Sequence, residues 1–94
     1  MSLASSDIER AEARASLPQG VDLHARPAAD FVRAAMRFPS RVWVTAGERE
    51  ADAKSLLSVL ALGAKGGTEL RLRAEGEQAA AAVRGLVDCV AELR

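Results

Sequence analysis

Ninety-four residues, 49% hydrophobic and 28% charged, suit one globular domain and leave no length for a second. Thirteen Lys plus Arg balance thirteen Asp plus Glu, which excludes the broad basic footprint of a general nucleic-acid or anionic-membrane binder. One cysteine, Cys89, excludes an internal disulfide, and no apolar run is long enough to insert in a membrane, so the chain reads as a reduced, cytoplasmic protein.

Residues 1–10 are small and polar and read as a flexible extension, leaving residues 11–94 as the domain. From Ala11 to Leu17 small apolar residues alternate with Glu12, Arg14 and Ser16, the period of a half-buried strand. Pro18, Gly20 and Asp22 then turn the chain toward His24, the only histidine. After Pro27, apolar Ala28, Phe31, Val32, Ala35 and Phe38 recur at steps of three and four, which predicts an amphipathic helix that Pro39-Ser40 ends. Proline fits the first helical turn, so Pro27 dates the helix start to within a residue or two and puts His24 and Arg26 at or just before it.

Arg41 to Thr45 is β-branched and aromatic and predicts a strand with Val42 and Val44 on one face and Trp43 covering the other. Gly47 leads to a return strand from Glu50 to Ala53. Ser55 precedes the apolar run Leu56 to Leu62, the pattern of an N-capped short helix, which Gly63 stops. Apolar residues all round that helix mean either full burial or an exposed patch for a partner. Glu69 to Ala74 alternates cleanly and predicts a strand with Leu70, Leu72 and Ala74 inward. Glu77 to Arg94 predicts the last helix, striped by Ala79, Ala82, Val83, Leu86, Val87, Val90 and Leu93, with Glu77 and Arg94 complementing its dipole and Gly85 weakening it by roughly 1 kcal/mol. Cys89 beside the stripe reads as a structural thiol. The order strand, helix, strand, strand, helix, strand, helix favours an α+β sheet with helices on one face and water on the other.

Chemistry must centre on His24. One histidine and scattered acids assemble no Ser/His/Asp set, paired-carboxylate pocket or metal-ligand cluster, so neither free-standing hydrolysis nor a metal or cofactor is expected. Histidine is partly neutral near neutral pH, so a ring nitrogen can act as a nucleophile without an added base. A helix N-terminus and the planar donor fork of Arg26 beside it suit an anion.

Three stretches together resemble the HPr family, the histidine-containing phosphocarriers of the bacterial sugar phosphotransferase system: Leu23-His24-Ala25-Arg26-Pro27-Ala28, Ala53-Lys54-Ser55-Leu56 with Leu62-Gly63, and Gly66-Gly67-Thr68-Glu69-Leu70. The resemblance spans residues 12–94. It implies an open-faced β-sandwich, a four-stranded antiparallel sheet with three helices on one face in the order βαββαβα. It also implies that His24 accepts a phosphoryl group from phosphorylated enzyme I and passes it to enzyme II A domains, that Arg26 assists the phosphohistidine, and that Ser55 is a regulatory site for a serine kinase/phosphorylase. A phosphate on Ser55 would add roughly −1.5 to −2 of charge at a helix N-terminus. Ala25, Ala29, Arg33, Met36, Leu56, Leu57 and Leu60 would form a docking patch with basic accents on a monomer. The alternative is a regulatory binding module of this fold that acts through Ser55 or docking alone; a structural subunit that buries the short helix in self-association is a third reading.

The family commonly has glycine where this chain has Asp22. Asp22 is expected to tolerate a positive φ in the turn and to oppose a phosphate on His24 by like-charge repulsion, so that Asp22→Gly would stabilise phospho-His24.

Overall fold

The computed structural model describes residues 9–94 and shows seven elements in the expected order. They are β1 (Arg10–Ser16), α1 (Ala25–Ala35), β2 (Arg41–Ala46), β3 (Arg49–Asp52), α2 (Leu56–Ala61), β4 (Glu69–Glu75) and α3 (Ala79–Ala91). Of the N-terminal extension, residues 1–8 lie outside the described residues.

The strands form one antiparallel sheet in the order β1-β4-β2-β3. Period-2 alternation sends Val42 and Val44 of β2, Ala51 of β3, and Leu70, Leu72 and Ala74 of β4 to the buried face, and the register aligns them, with Val44 opposite both Leu72 and Ala51. Against this face pack Ala28, Phe31, Val32 and Ala35 of α1, Val59 of α2, and Ala79, Ala82, Val83, Leu86 and Val90 of α3. The result is the open-faced sandwich, with three helices on one side.

Element ends move where tertiary contacts decide them. α1 stops at Ala35 rather than Phe38, because the amides of Arg37 and Phe38 donate to carbonyls three residues back and tighten the last turn. Phe38 nevertheless packs against the core, and its carbonyl accepts from Lys54 Nζ at 2.6 Å. Its ring also accounts for Gly85: a Cβ there would lie 2.9 Å from Phe38 Cζ, so the helix carries a poor helix former in exchange for close packing. α3 begins at Ala79 rather than Glu77, since Gly76 has φ +112° and Gln78 caps the helix in the left-handed region with φ +68°. Glu77 and Arg94 therefore lie outside the helix, which has no acidic residue in its first turn and no basic one in its last.

The short helix α2 resolves the choice between burial and patch. Ser55 caps it, its Oγ accepting from the Ser58 amide at 3.3 Å. Only Val59 within it is buried, whereas Leu57 is 80% and Leu56 42% exposed. Arg49 of the β2–β3 hairpin satisfies the other end by donating to the Ala61 carbonyl at 3.1 Å.

Candidate functional site

His24 is the N-cap of α1, in extended conformation with φ −141° and ψ 161°, and its exposed ring makes no side-chain cap hydrogen bond. Arg26 was expected at or before the helix start and falls inside the first turn, exposed and with no ion-pair partner among the described residues. The first amides of a helix have no acceptor four residues back, so the Ala25 and Arg26 N–H groups are open to an anion. Pro27 occupies the next position, where an N–H would also have lacked a partner. The first intrahelical bond is that from the Ala28 amide to the His24 carbonyl, at 3.4 Å.

The backbone is strained beside the histidine. Ala25 has φ +46°, a left-handed conformation worth roughly 1–2 kcal/mol against an L-residue with a Cβ. Such a conformation persists when its surroundings over-determine it, and here they do. The His24 amide donates to the Asp22 carbonyl and the Leu23 amide to the Ala64 carbonyl, both at 2.9 Å, while Leu23 is buried in the core. His24 borders an open depression of about 270 Å³ lined also by Asp22, Leu23, Gly63, Ala64 and Lys65.

Asp22 departs from one expectation and adds to another. Its φ is not positive; the strained residue is Ala25, three positions on. Its carboxylate is half-exposed and already engaged, Oδ1 accepting the Gly66 amide at 2.8 Å and Oδ2 lying 3.8 Å from Lys65 Nζ. Glycine at this position would relieve any repulsion but would also remove the acceptor of the Gly66 amide, at a solvent-exposed junction between loops. Lys65 was missed altogether, and nothing in its neighbours Ala64 and Gly66 hints that it lines the histidine's depression.

The expected docking residues divide by exposure. Ala25, Arg33, Met36, Leu56 and Leu57 are exposed, with Met36 at 63%. Ala29 is half-buried, and Leu60 is half-buried and packs against the core, so it serves more as the footing of α2 than as open surface. Arg33 is held by Asp30 one turn back at 2.5 Å. Contacts between α1 and α2 set the Met36 and Leu57 helices side by side. Ser55 is half-buried with its hydroxyl engaged in the cap.

No group of three or more His, Cys, Asp or Glu among the described residues could hold a metal ion, and none of the described helices is long and apolar enough to cross a membrane. Cys89 of α3 lies half-buried, its thiol directed to the Asp30 carbonyl at 3.9 Å. Burial pushes the thiol above its ordinary pKa, and the Asp30 and Glu92 carboxylates add to the rise against a smaller opposing effect of Arg37.

Residues 11–92 match the sequence profile of the phosphotransferase-system family described as "PTS HPr component phosphorylation site". The phosphocarrier protein HPr of Haemophilus influenzae is 44% identical over 71 residues, covering 76% of this chain and 84% of that one. HPr of Streptomyces coelicolor is 42% identical over 83 residues, covering 87% and 89%. The crystal structure of HPr-C-His from Thermoanaerobacter tengcongensis superimposes with a TM-score of 0.82 at 36% identity, covering 86% of this chain and 91% of that one. Sequence match over nearly the whole domain, the shared βαββαβα sandwich and a histidine at the start of α1 agree, and the chain belongs to the HPr family of phosphocarrier proteins of the phosphotransferase system.

Proposed function

We propose that His24 is the phosphoryl acceptor, taking the group from phosphorylated enzyme I and passing it to the A domains of sugar-specific enzymes II. The observation that carries this reading is an exposed histidine at the N-cap of an 11-residue helix, its ring making no cap hydrogen bond, beside an arginine with no ion-pair partner among the described residues. A ring nitrogen forms the new N–P bond as the donor's bond to phosphorus breaks, and the electron pair of that bond leaves with the donor. Loose phosphoryl transfer asks for positioning and charge stabilisation rather than further covalent chemistry. Arg26 supplies a donor fork and the open amides of the first turn supply oriented dipoles, while Ala25, Ala29, Arg33, Met36, Leu56 and Leu57 receive the partner domain around the histidine.

Ser55 is the regulatory site in this reading, a target for a serine kinase/phosphorylase. Its hydroxyl already faces the α2 amides, so a phosphate there keeps helix-terminal donors while placing negative charge next to Leu56 and Leu57. The protein works as a monomer in the cytoplasm, where phosphoenolpyruvate and enzyme I are found.

Incubation with enzyme I and phosphoenolpyruvate tests the assignment. Wild type gains one acid-labile, alkali-stable phosphate, and His24→Ala gains none while keeping its fold by circular dichroism. A wild type that stays unphosphorylated, or a His24→Ala variant that takes up as much, counts against it. Acid-stable phosphate on Ser55 alone would instead favour the regulatory module.

A further inference from the structure

We propose that Asp22 is a positioning residue for phosphoryl transfer, the side chain that locks the histidine turn against the loop after α2; this rests on His24 being the acceptor. The two loops are tied at both ends by main chain. At one end the Leu17 amide donates to the Thr68 carbonyl and the Gly67 amide to the Leu17 carbonyl, each at 2.9 Å. At the other, the Leu23 amide donates to the Ala64 carbonyl at the same distance. Between these ties the loops touch backbone to backbone, since a Cβ on Gly66 would lie 2.6 Å from Gly20 N and 2.8 Å from Val21 N.

At that point of contact the Gly66 amide finds its acceptor in the Asp22 carboxylate, at 2.8 Å and 44 residues away in sequence. The backbone carbonyl of the same residue accepts the His24 amide at 2.9 Å. Asp22 thus holds the neighbouring loop with its side chain and the histidine with its main chain. The strained Ala25 follows immediately, and a left-handed alanine survives only where the chain on either side is held. Loss of the carboxylate leaves the Gly66 amide without this partner and frees the segment whose direction aims the His24 ring. Lys65, 3.8 Å from Oδ2 and largely exposed, offsets part of the carboxylate's charge toward an incoming phosphoryl group.

Two variants separate anchoring from charge. Asp22→Asn keeps an oxygen acceptor for Gly66 and removes the charge; Asp22→Ala removes both. The donor is potassium phosphoramidate, a small molecule that needs no docking surface: the ring nitrogen bonds to phosphorus, the P–N bond of the donor breaks, and ammonia leaves with the proton displaced from the ring. Phosphohistidine formation is followed by ³¹P NMR, and exchange of the Gly66 and His24 amides is followed on the unphosphorylated proteins.

Anchoring predicts Asp22→Ala to be about 5-fold slower than wild type, the factor attached to one ordinary hydrogen bond. It also predicts faster exchange at both amides with core amides unchanged, and restoration of both properties by Asp22→Asn. Equal rates in all three proteins overturn the proposal, as do faster rates in both variants, which would make the charge the dominant effect. A wild type that takes no phosphate on His24 overturns the acceptor reading along with this one, whereas a phosphorylated wild type matched by Asp22→Ala overturns this one alone.

Discussion

The two faces of the sandwich meet water by opposite means. On the open sheet face, polar side chains satisfy one another. Arg73 lies over the Trp43 ring at 4.2 Å and pairs with Glu50 at 3.2 Å and Glu75 at 3.4 Å, while Arg41 covers Trp43 from 5.4 Å. The antiparallel register makes this possible by setting Arg73 directly opposite Trp43 on β2 and Glu12 on β1. On the helical side several exposed groups are left without such partners: Met36, Leu56 and Leu57 present apolar surface, Arg26 has no ion-pair partner among the described residues, and Ala25 is strained. Exposed apolar side chains on the histidine's side of the molecule add little to stability, which is why the proposed docking surface is drawn there.

Substitution on each face should move a different observable. The largest effect is expected for Leu57→Lys, which puts a charge on the most exposed apolar side chain of α2. Transfer from phosphorylated enzyme I should show a KM about 10-fold higher, as when an interface anchor is lost, while urea stability stays within about 0.5 kcal/mol of wild type. An unchanged KM would remove α2 from the docking surface. Trp43→Ala should do the reverse, lowering stability by about 1 kcal/mol through the lost cation–π and cross-strand packing and leaving transfer rates alone. A transfer defect in a stable Trp43→Ala protein would show that the faces are not functionally separate.

The sequence carried this division further than it carried the local geometry. Alternation in Glu69–Ala74 and Arg41–Thr45 separated inner from outer faces before any coordinate, because a strand's period is fixed by its backbone. His24 stood out as the candidate acceptor from its place before Pro27 and from the two remote stretches that resemble the same family. What stayed hidden depends on contacts distant in sequence. Asp22 looked like a turn residue and a repelling charge, and only the fold brings Gly66 to its carboxylate. The φ of Ala25 cannot be read from an alanine, and the choice of Leu57 over Leu60 for the surface rests on how α2 rolls against the core. Gly85 read as a weak point in α3 until the ring of Phe38, from another helix's end, filled the space beside it.

The smallest effect belongs to Cys89, half-buried on the helical side. A raised pKa means that the unfolded chain gives up this proton first as pH rises. The thiol's contribution to stability is then complete below the ordinary value of 9.0 and fades as pH climbs through the higher folded value. Desolvation of the thiolate comes first among the causes, followed by repulsion from Asp30 and Glu92, and the contact from Sγ to the Asp30 carbonyl favours the protonated form as well. The stability difference between wild type and Cys89→Ala, from urea midpoints across a pH series, should therefore shift against wild type above pH 9.0. Alkylation of native Cys89 by iodoacetamide at pH 8 should also be slower than in the urea-unfolded chain. A difference that shifts in favour of wild type with pH, with faster native alkylation, would mean a thiolate held by the fold and a second nucleophile on the histidine's side of the molecule. The expected sign makes Cys89 a small, half-buried packing group against α1 rather than a reactive thiol.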